Sequence, residues 1–108
     1  MRCGQMYKET VIYGVLKEEK QRNLEMQETS LNELNSLRKG RIRERVRNGK
    51  IYYYLQYRQE GRVKDEYIGT DESEIENVKS ELARRKRLED VMKRLKIEQK
   101  QICKIVKD

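Results

Sequence analysis

The sequence has 108 residues, of which 42% are charged and 35% hydrophobic, and its 26 Lys and Arg against 19 Asp and Glu give a formal net charge of +7. So polar a composition excludes a large globular core, and a chain of this length allows one domain, residues 1–108. The excess of positive charge favours an anionic partner.

The cysteines and the N-terminus bear on cofactors and location. Cys3 and Cys103 lie near opposite ends of the chain, without Cys-x-x-Cys spacing, and the sequence contains no His. We therefore expect no zinc site and no other cofactor. The lack of an apolar run long enough for a signal peptide or a membrane span predicts a soluble protein of the reducing cytoplasm.

The first predicted helix follows an ambiguous lead-in. Residues 1–15 contain Tyr7 and the run Val11–Tyr13, which fit either a short strand or a helical lead-in. Residues 16–39 predict a helix because apolar side chains recur at spacings of three and seven, at Leu24, Leu31, Leu34 and Leu37. Gly40 suits the position just after this helix, where a positive φ is common.

Residues 40–69 predict a three-stranded antiparallel sheet. Asn48-Gly49 is the strongest signal for a two-residue hairpin turn, because both residues accept the left-handed angles of a type I′ turn. That turn pairs Val46 with Ile51 and continues the register back along strand Arg41–Arg47. Alternation then separates an apolar face from a cationic-aromatic face. The cationic-aromatic face contains Arg41, Arg43, Arg45, Arg47, Lys50, Tyr52 and Tyr54.

The second turn of the sheet allows two registers. A three-residue loop at 59–61 pairs Tyr57 with Val63 and Tyr53 with Tyr67, and its glycine suits the left-handed position. It adds three cations to the cationic-aromatic face: Arg58, Arg62 and Lys64. A two-residue turn would invert the third strand and bury its lysine, so we predict the longer loop.

Residues 70–107 predict a second helix, about 50 Å long at 1.5 Å per residue. Ser73 and Glu76 fit a capping box at its start. Its apolar stripe, after a change of phase, includes Leu88, Met92, Leu95, Ile102 and Val106. Such a stripe needs a cover, either the first helix in an antiparallel hairpin or a second chain in a coiled coil, and we expect a homodimer. The predicted fold class is α+β, with two long helices flanking the three-stranded sheet.

The cationic-aromatic face is the main candidate for function. Residues 40–64 hold eight Arg or Lys against two Glu, a net charge of +6. Arginines two apart on a strand project about 6.6 Å from each other, close to the spacing of successive phosphates, and tyrosines stack on bases. The face therefore predicts binding to DNA or RNA, and about six phosphate contacts give a slope of log affinity against log salt near −5. The alternative is that charge on an edge strand only prevents aggregation.

A second basic cluster lies in the middle of the second helix: Arg84, Arg85, Lys86 and Arg87. Four consecutive helical residues cover almost the whole circumference, so at least one of them interrupts the apolar stripe. The cluster is either a solvated helical segment, with Glu81, Glu89 and Asp90 as partners, or an extension of the cationic-aromatic face.

The sequence gives catalysis no support. It lacks His for general-base work, a nucleophile elbow, a P-loop and a glycine-rich nucleotide fingerprint. The acids between residues 65 and 76 would suit Mg²⁺, but they lie where the start of a helix favours negative charge. We therefore expect a non-enzymatic protein without a metal site.

Three segments carry a resemblance to a known group of proteins: LNELNSLRKG, NGKIYYYLQYRQEGRVKDEYIG and ELARRKRLEDVMKRLK. Over residues 31–106 the chain resembles a family of small uncharacterised basic proteins of Gram-positive bacteria, their phages and mobile elements. That family usually has a proline near the end of the first helix, where this chain has Arg38. The sheet is also similar to the three-stranded arm-binding domain of tyrosine-type integrases, which reads a DNA groove but is followed by only a short helix.

Three functional hypotheses follow. The first is a non-catalytic nucleic-acid-binding protein of a phage or mobile element. The second is a phage-encoded inhibitor of a host nucleic-acid-guided nuclease, of the anti-CRISPR type, which acts by protein–protein contact. The third is a structural coiled-coil adaptor.

Overall fold

The computed structural model of this chain describes residues 10–106. The elements are α1 (Val11–Ser36), β1 (Arg41–Arg47), β2 (Lys50–Gln59), β3 (Arg62–Gly69) and α2 (Glu72–Ile105). The strands form one antiparallel sheet in the order β1-β2-β3, which confirms the predicted α+β fold of two helices flanking a three-stranded sheet. The run Val11–Tyr13 is helical rather than extended, whereas Tyr7 lies outside the described residues. No helix within residues 10–106 is long and apolar enough to cross a membrane.

The first hairpin has the predicted register. Arg43 opposes Tyr54, Arg45 opposes Tyr52 and Val46 opposes Ile51. The turn residues Asn48 and Gly49 have φ angles of 51° and 79°, the left-handed values of a type I′ turn. The Asn-Gly pair therefore sets which side chains of β1 and β2 share a face.

The predicted register of the second hairpin is wrong. Gln59 opposes Arg62, so the loop contains only Glu60 and Gly61, with φ angles of 54° and 76°. This two-residue turn matches the right-handed twist of its strands, which outweighs the cost of a left-handed glutamate. The objection that a short turn buries Lys64 fails because that residue lies exposed on an edge strand.

The short turn exchanges the two sides of β3. Val63 opposes Arg58 and Tyr67 opposes Tyr54, instead of the predicted pairs with Tyr57 and Tyr53. Val63, Asp65 and Tyr67 therefore join the face of the β1 arginines. Arg62, Lys64 and Glu66 join the opposite face, which carries the buried Leu55. A bulge between Tyr53 and Tyr54 then brings Gly69 opposite Tyr53.

The contacts divide the chain into two compact units, one of which runs from Leu34 to Leu88. Its buried apolar side chains are Leu34, Leu55, Ile75, Val78 and Leu88. Gly40 lies in the connection to β1 with a φ of 119°, and a side chain there would collide with the carbonyl oxygen of Gln56. Since α1 already ends at Ser36, this glycine permits a close backbone approach and is not the helix cap that we predicted.

The second unit combines the described residues up to Glu33 with those from Glu89 onward. Here the two helices form an antiparallel hairpin: Tyr13 packs with Ile102 and Val106, and Asn23 lies beside Leu95. The side chain of Asn23 is only 1% exposed, and its amide nitrogen donates a hydrogen bond of 2.9 Å to the carbonyl oxygen of Leu95.

Amide side chains extend this contact into a partly buried polar layer. The Nε2 of Gln27 donates to the Oδ1 of Asn23 at 2.6 Å and to the Oε1 of Gln99 at 3.0 Å. Leu24 and Leu31, which belong to the predicted apolar stripe of the first helix, are 40% and 50% exposed. The predicted stripe is therefore wrong at Leu24 and Leu31, because the amides of Asn23 and Gln27 occupy packed positions of α1 in this unit.

The predicted apolar stripe of α2 is buried within a single copy of the chain. Leu88, Leu95, Ile102 and Val106 are buried and Met92 is partly buried within a single copy. The helix begins at Glu72 rather than residue 70, with Asp71 as its cap, because the backbone nitrogen of Ser73 donates to the Oδ1 of Asp71 at 3.0 Å. The capping box predicted at Ser73 is thus displaced to Asp71.

Asn23→Ala should lower the free energy of unfolding by about 1–3 kcal/mol, because it removes the acceptor of one Gln27 hydrogen bond and the donor to Leu95 in a buried layer. Gln21→Ala is the matched control, since its hydrogen bond to Glu25 is exposed and its loss should cost less than about 0.5 kcal/mol. Urea unfolding followed by far-UV circular dichroism measures both. Equal midpoints for the two variants would show that the polar layer does not stabilise the hairpin.

Candidate functional site

One face of the sheet, which we call the arginine–tyrosine face, carries most of the predicted site. It comprises Arg41, Arg43, Arg45, Arg47, Lys50, Tyr52, Tyr54, Gln56, Arg58, Val63, Asp65 and Tyr67. All four β1 arginines are exposed, whereas Leu55 on the opposite face is 2% exposed. The alternation of β1 and β2 therefore points the cations to solvent and the apolar side chain to the core.

The register of β3 changes the membership of this face. The predicted site residues Arg62 and Lys64 lie on the opposite face, where the Nζ of Lys64 donates to the Oε1 of Gln59 at 3.2 Å. Their predicted place on the cationic-aromatic face is therefore wrong, because the two-residue turn puts them on the other side of the sheet. Tyr67 and Asp65 belong to the face instead. The sequence would have predicted this if Glu60-Gly61 alone had been taken as the turn.

Arg45 is held in place at the centre of the face. Its Nη2 donates a hydrogen bond of 2.9 Å to the Oδ2 of Asp65, and its guanidinium lies 4.7 Å from the ring centre of Tyr54. The ion pair neutralises this one arginine. By contrast, no described residue forms an ion pair with Arg41, Arg43 or Arg47.

Three tyrosines cluster beside this pair. The ring centres of Tyr52 and Tyr67 are 6.4 Å apart with their planes inclined at 43°, and those of Tyr54 and Tyr67 are 5.3 Å apart at 54°. With Arg47 and Asn48 they line an open cleft of about 370 Å³, which we call the tyrosine cleft. The cleft thus combines aromatic rings, an amide side chain and an unpaired cation.

A second depression lies on the same face toward the other end of β1. It has a volume of about 450 Å³, and its lining includes Arg41, Gln56, Arg58 and Val63. Both of its cations are exposed, and neither forms an ion pair with a residue that the structure describes. It is therefore suited to an anionic group, whereas the tyrosine cleft is suited to a planar one.

The second basic cluster does not act as one surface. Arg85 points inward, and its Nη1 donates to the carbonyl oxygens of Leu34 at 2.6 Å and Leu37 at 3.3 Å. These carbonyls lie at the C-terminal end of α1, where a cation compensates the helix dipole. Arg85 is thus the residue that interrupts the apolar stripe, while Lys86 and Arg87 are exposed.

Within residues 10–106, no group of three or more His, Cys, Asp or Glu side chains is placed to hold a metal ion. Among the acids between residues 65 and 76, Asp71 caps α2 and Asp65 pairs with Arg45, so these two have structural partners. Cys103 is a free, partly buried thiol. Cys3 lies outside the described residues.

The chain belongs to a family described as a domain of unknown function, DUF6788, whose model matches residues 16–77. The match covers most of α1, the whole sheet and the first turns of α2. No curated protein and no solved structure matches the chain. The matched residues include every position of the arginine–tyrosine face.

Arg85→Met should lower the free energy of unfolding by about 1.5–3 kcal/mol, because two carbonyls at the end of α1 lose a charged donor. Lys86→Met is the matched control: it removes the same charge from the next residue, which is exposed, and should change stability by less than about 0.5 kcal/mol. Thermal and urea unfolding measure the difference. An equal effect of the two substitutions would contradict the capping role of Arg85.

Proposed function

We propose that this protein is a non-catalytic nucleic-acid-binding protein that contacts phosphates through its arginine–tyrosine face. One observation carries the proposal: five exposed cations share one sheet face with no ion pair to any described residue. They are Arg41, Arg43, Arg47, Lys50 and Arg58. Because like charges at this spacing repel one another, an anionic partner stabilises the arrangement.

The spacing of the cations favours a phosphate backbone as that partner. Alternate residues of β1 are about 6.6 Å apart, so Arg41, Arg43 and Arg47 are placed to meet phosphates along one strand. Guanidinium groups bind phosphate through two parallel hydrogen bonds. Tyrosines on the neighbouring strand add a surface for bases or sugars.

The need to keep a sheet edge from pairing with another chain explains the β1 arginines less well than phosphate binding does. The sheet has two edge strands, β1 and β3, and both need protection from pairing with another chain. The exposed edge β3 carries mixed charges, including Asp65 and Glu66 beside Lys64. On β1, every residue of the arginine–tyrosine face is an arginine. Protection of an edge strand does not require charges of one sign only.

The structural-adaptor hypothesis loses support, since the apolar stripe of α2 is buried within one copy of the chain. In the nuclease-inhibitor hypothesis the same face contacts a protein. A lack of salt-dependent binding to oligonucleotides would leave that hypothesis in place. An origin in a phage or mobile element belongs to the proposal through the resemblance described above, and action in the cytoplasm through the two isolated cysteines of the sequence.

Binding should depend strongly on salt. Five phosphate contacts predict a slope of log affinity against log salt of about −4.5 for duplex DNA and about −3.5 for single strands. Arg43→Gln with Arg47→Gln should make the slope shallower by about 1.4–1.8, because two counterion-releasing contacts are lost. Fluorescence anisotropy with a labelled oligonucleotide, between roughly 50 and 300 mM salt, measures the slope.

The opposite face supplies the matched control. Arg62→Gln with Lys64→Gln removes the same charge from the same sheet and should leave the slope unchanged. Affinity that is independent of salt would refute phosphate binding. Equal weakening by both pairs of substitutions would show that net charge, rather than the arginine–tyrosine face, governs association.

A further inference from the structure

We infer that the tyrosine cleft binds an unpaired base, so that the ligand of this face is single-stranded nucleic acid. The inference rests on the proposed function and specifies its substrate class. The inference follows from the exposure and spacing of the three tyrosine rings and from the positions of the cations beside them. A base offers its flat surface to a tyrosine only when it is not stacked within a duplex.

The three rings of the cleft are not equivalent. One surface of Tyr54 is covered by the guanidinium of Arg45, which is itself tied to Asp65. Tyr67 is 55% exposed, whereas Tyr52 and Tyr54 are only partly exposed. Tyr54 therefore positions Arg45, and Tyr67 offers the accessible aromatic surface.

The spacing of the rings decides how a base fits. A base inserted between two rings needs them parallel and about 7 Å apart, twice an ordinary carbon contact of about 3.5 Å. Tyr52 and Tyr67 are 6.4 Å apart and inclined at 43°, so no base fits between them. The base must therefore stack on the exposed part of the Tyr67 ring, which packs within the cluster against Tyr52 and Tyr54.

The rest of the face fits an extended strand that runs away from this position. Arg47 lines the cleft and is placed to meet the phosphate of the stacked nucleotide. Asn48 also lines it and supplies a donor and an acceptor for a base edge. The depression between Arg41 and Arg58 lies about 13 Å along the sheet, four residues of β2 away, which is the reach of about two nucleotides.

The test compares a single-stranded oligothymidylate of about 12 nucleotides with an abasic oligomer of equal length and with a duplex of the same charge. The abasic oligomer has the phosphates without the bases, so it separates stacking from electrostatics. We expect the oligothymidylate to bind the wild-type protein more tightly than either comparison ligand. A ribonucleotide version of the oligomer shows which of the two nucleic acids is preferred.

Two variants of Tyr67 test the stacking itself. Tyr67→Leu retains an apolar side chain without an aromatic surface and should weaken oligothymidylate binding by about 5- to 150-fold. Tyr67→Phe retains the ring and should stay within about 2-fold of the wild type. Neither substitution should alter binding of the abasic oligomer, and circular dichroism shows that both variants fold.

The outcomes separate the inference from the proposed function. Equal affinity for the abasic oligomer and the oligothymidylate, or a neutral Tyr67→Leu, overturns base stacking while phosphate binding stands. Tighter binding of the duplex than of the oligothymidylate also overturns base stacking while phosphate binding stands. No salt-dependent binding to any of the ligands removes the proposed function, and the inference with it.

Discussion

Two-residue turns decide what each face of this sheet contains. Side chains alternate along a strand, so a shift of one residue moves every side chain of that strand to the other face. Each turn places a non-glycine residue, Asn48 or Glu60, in the left-handed region ahead of a glycine. The glutamate does so at a cost of about 1–2 kcal/mol, which the paired strands offset. The composition of the arginine–tyrosine face depends on both turns.

The sequence was sufficient for the first hairpin but not for the second. Asn-Gly strongly prefers the type I′ turn, so its register follows from two letters. Glu-Gly has no comparable preference, and β3 offers little further guidance because its exposed residues place charge on both faces. Burial specifies a register only where one face is clearly apolar, and an edge strand such as Arg62–Gly69 does not meet that condition.

Helix packing was predicted unevenly for a related reason. The α2 residues Leu95, Ile102 and Val106 were found because hydrophobic periodicity detects apolar side chains. The same method cannot detect a packed position that holds an amide, so Leu24 was assigned inward in place of Asn23. Likewise, an interruption of the stripe by at least one of residues 84–87 was expected, but the choice of Arg85 and its carbonyl partners depend on where α1 ends.

The site combines predicted and unpredicted parts. The β1 arginines and Tyr52 were assigned correctly to one face because they flank the first turn. Tyr67 depended on the second turn, and the pairing of Arg45 with Asp65 depended on it too. The sequence therefore predicts a cationic surface, whereas the cleft and its open ring require the three strands together.

The buried amides of the helical hairpin have a consequence for alignment. Apolar contacts between helices tolerate sliding by a whole heptad, because one leucine replaces another at little cost. Gln27 tolerates no such slip, since its partner across the interface is the side chain of Gln99, whereas Asn23 donates to a backbone carbonyl. A displaced helix would leave the Gln27 donor without this acceptor in a partly buried position. The amides thus trade stability for a single alignment, and they discourage mispairing with unrelated helices in a crowded cell.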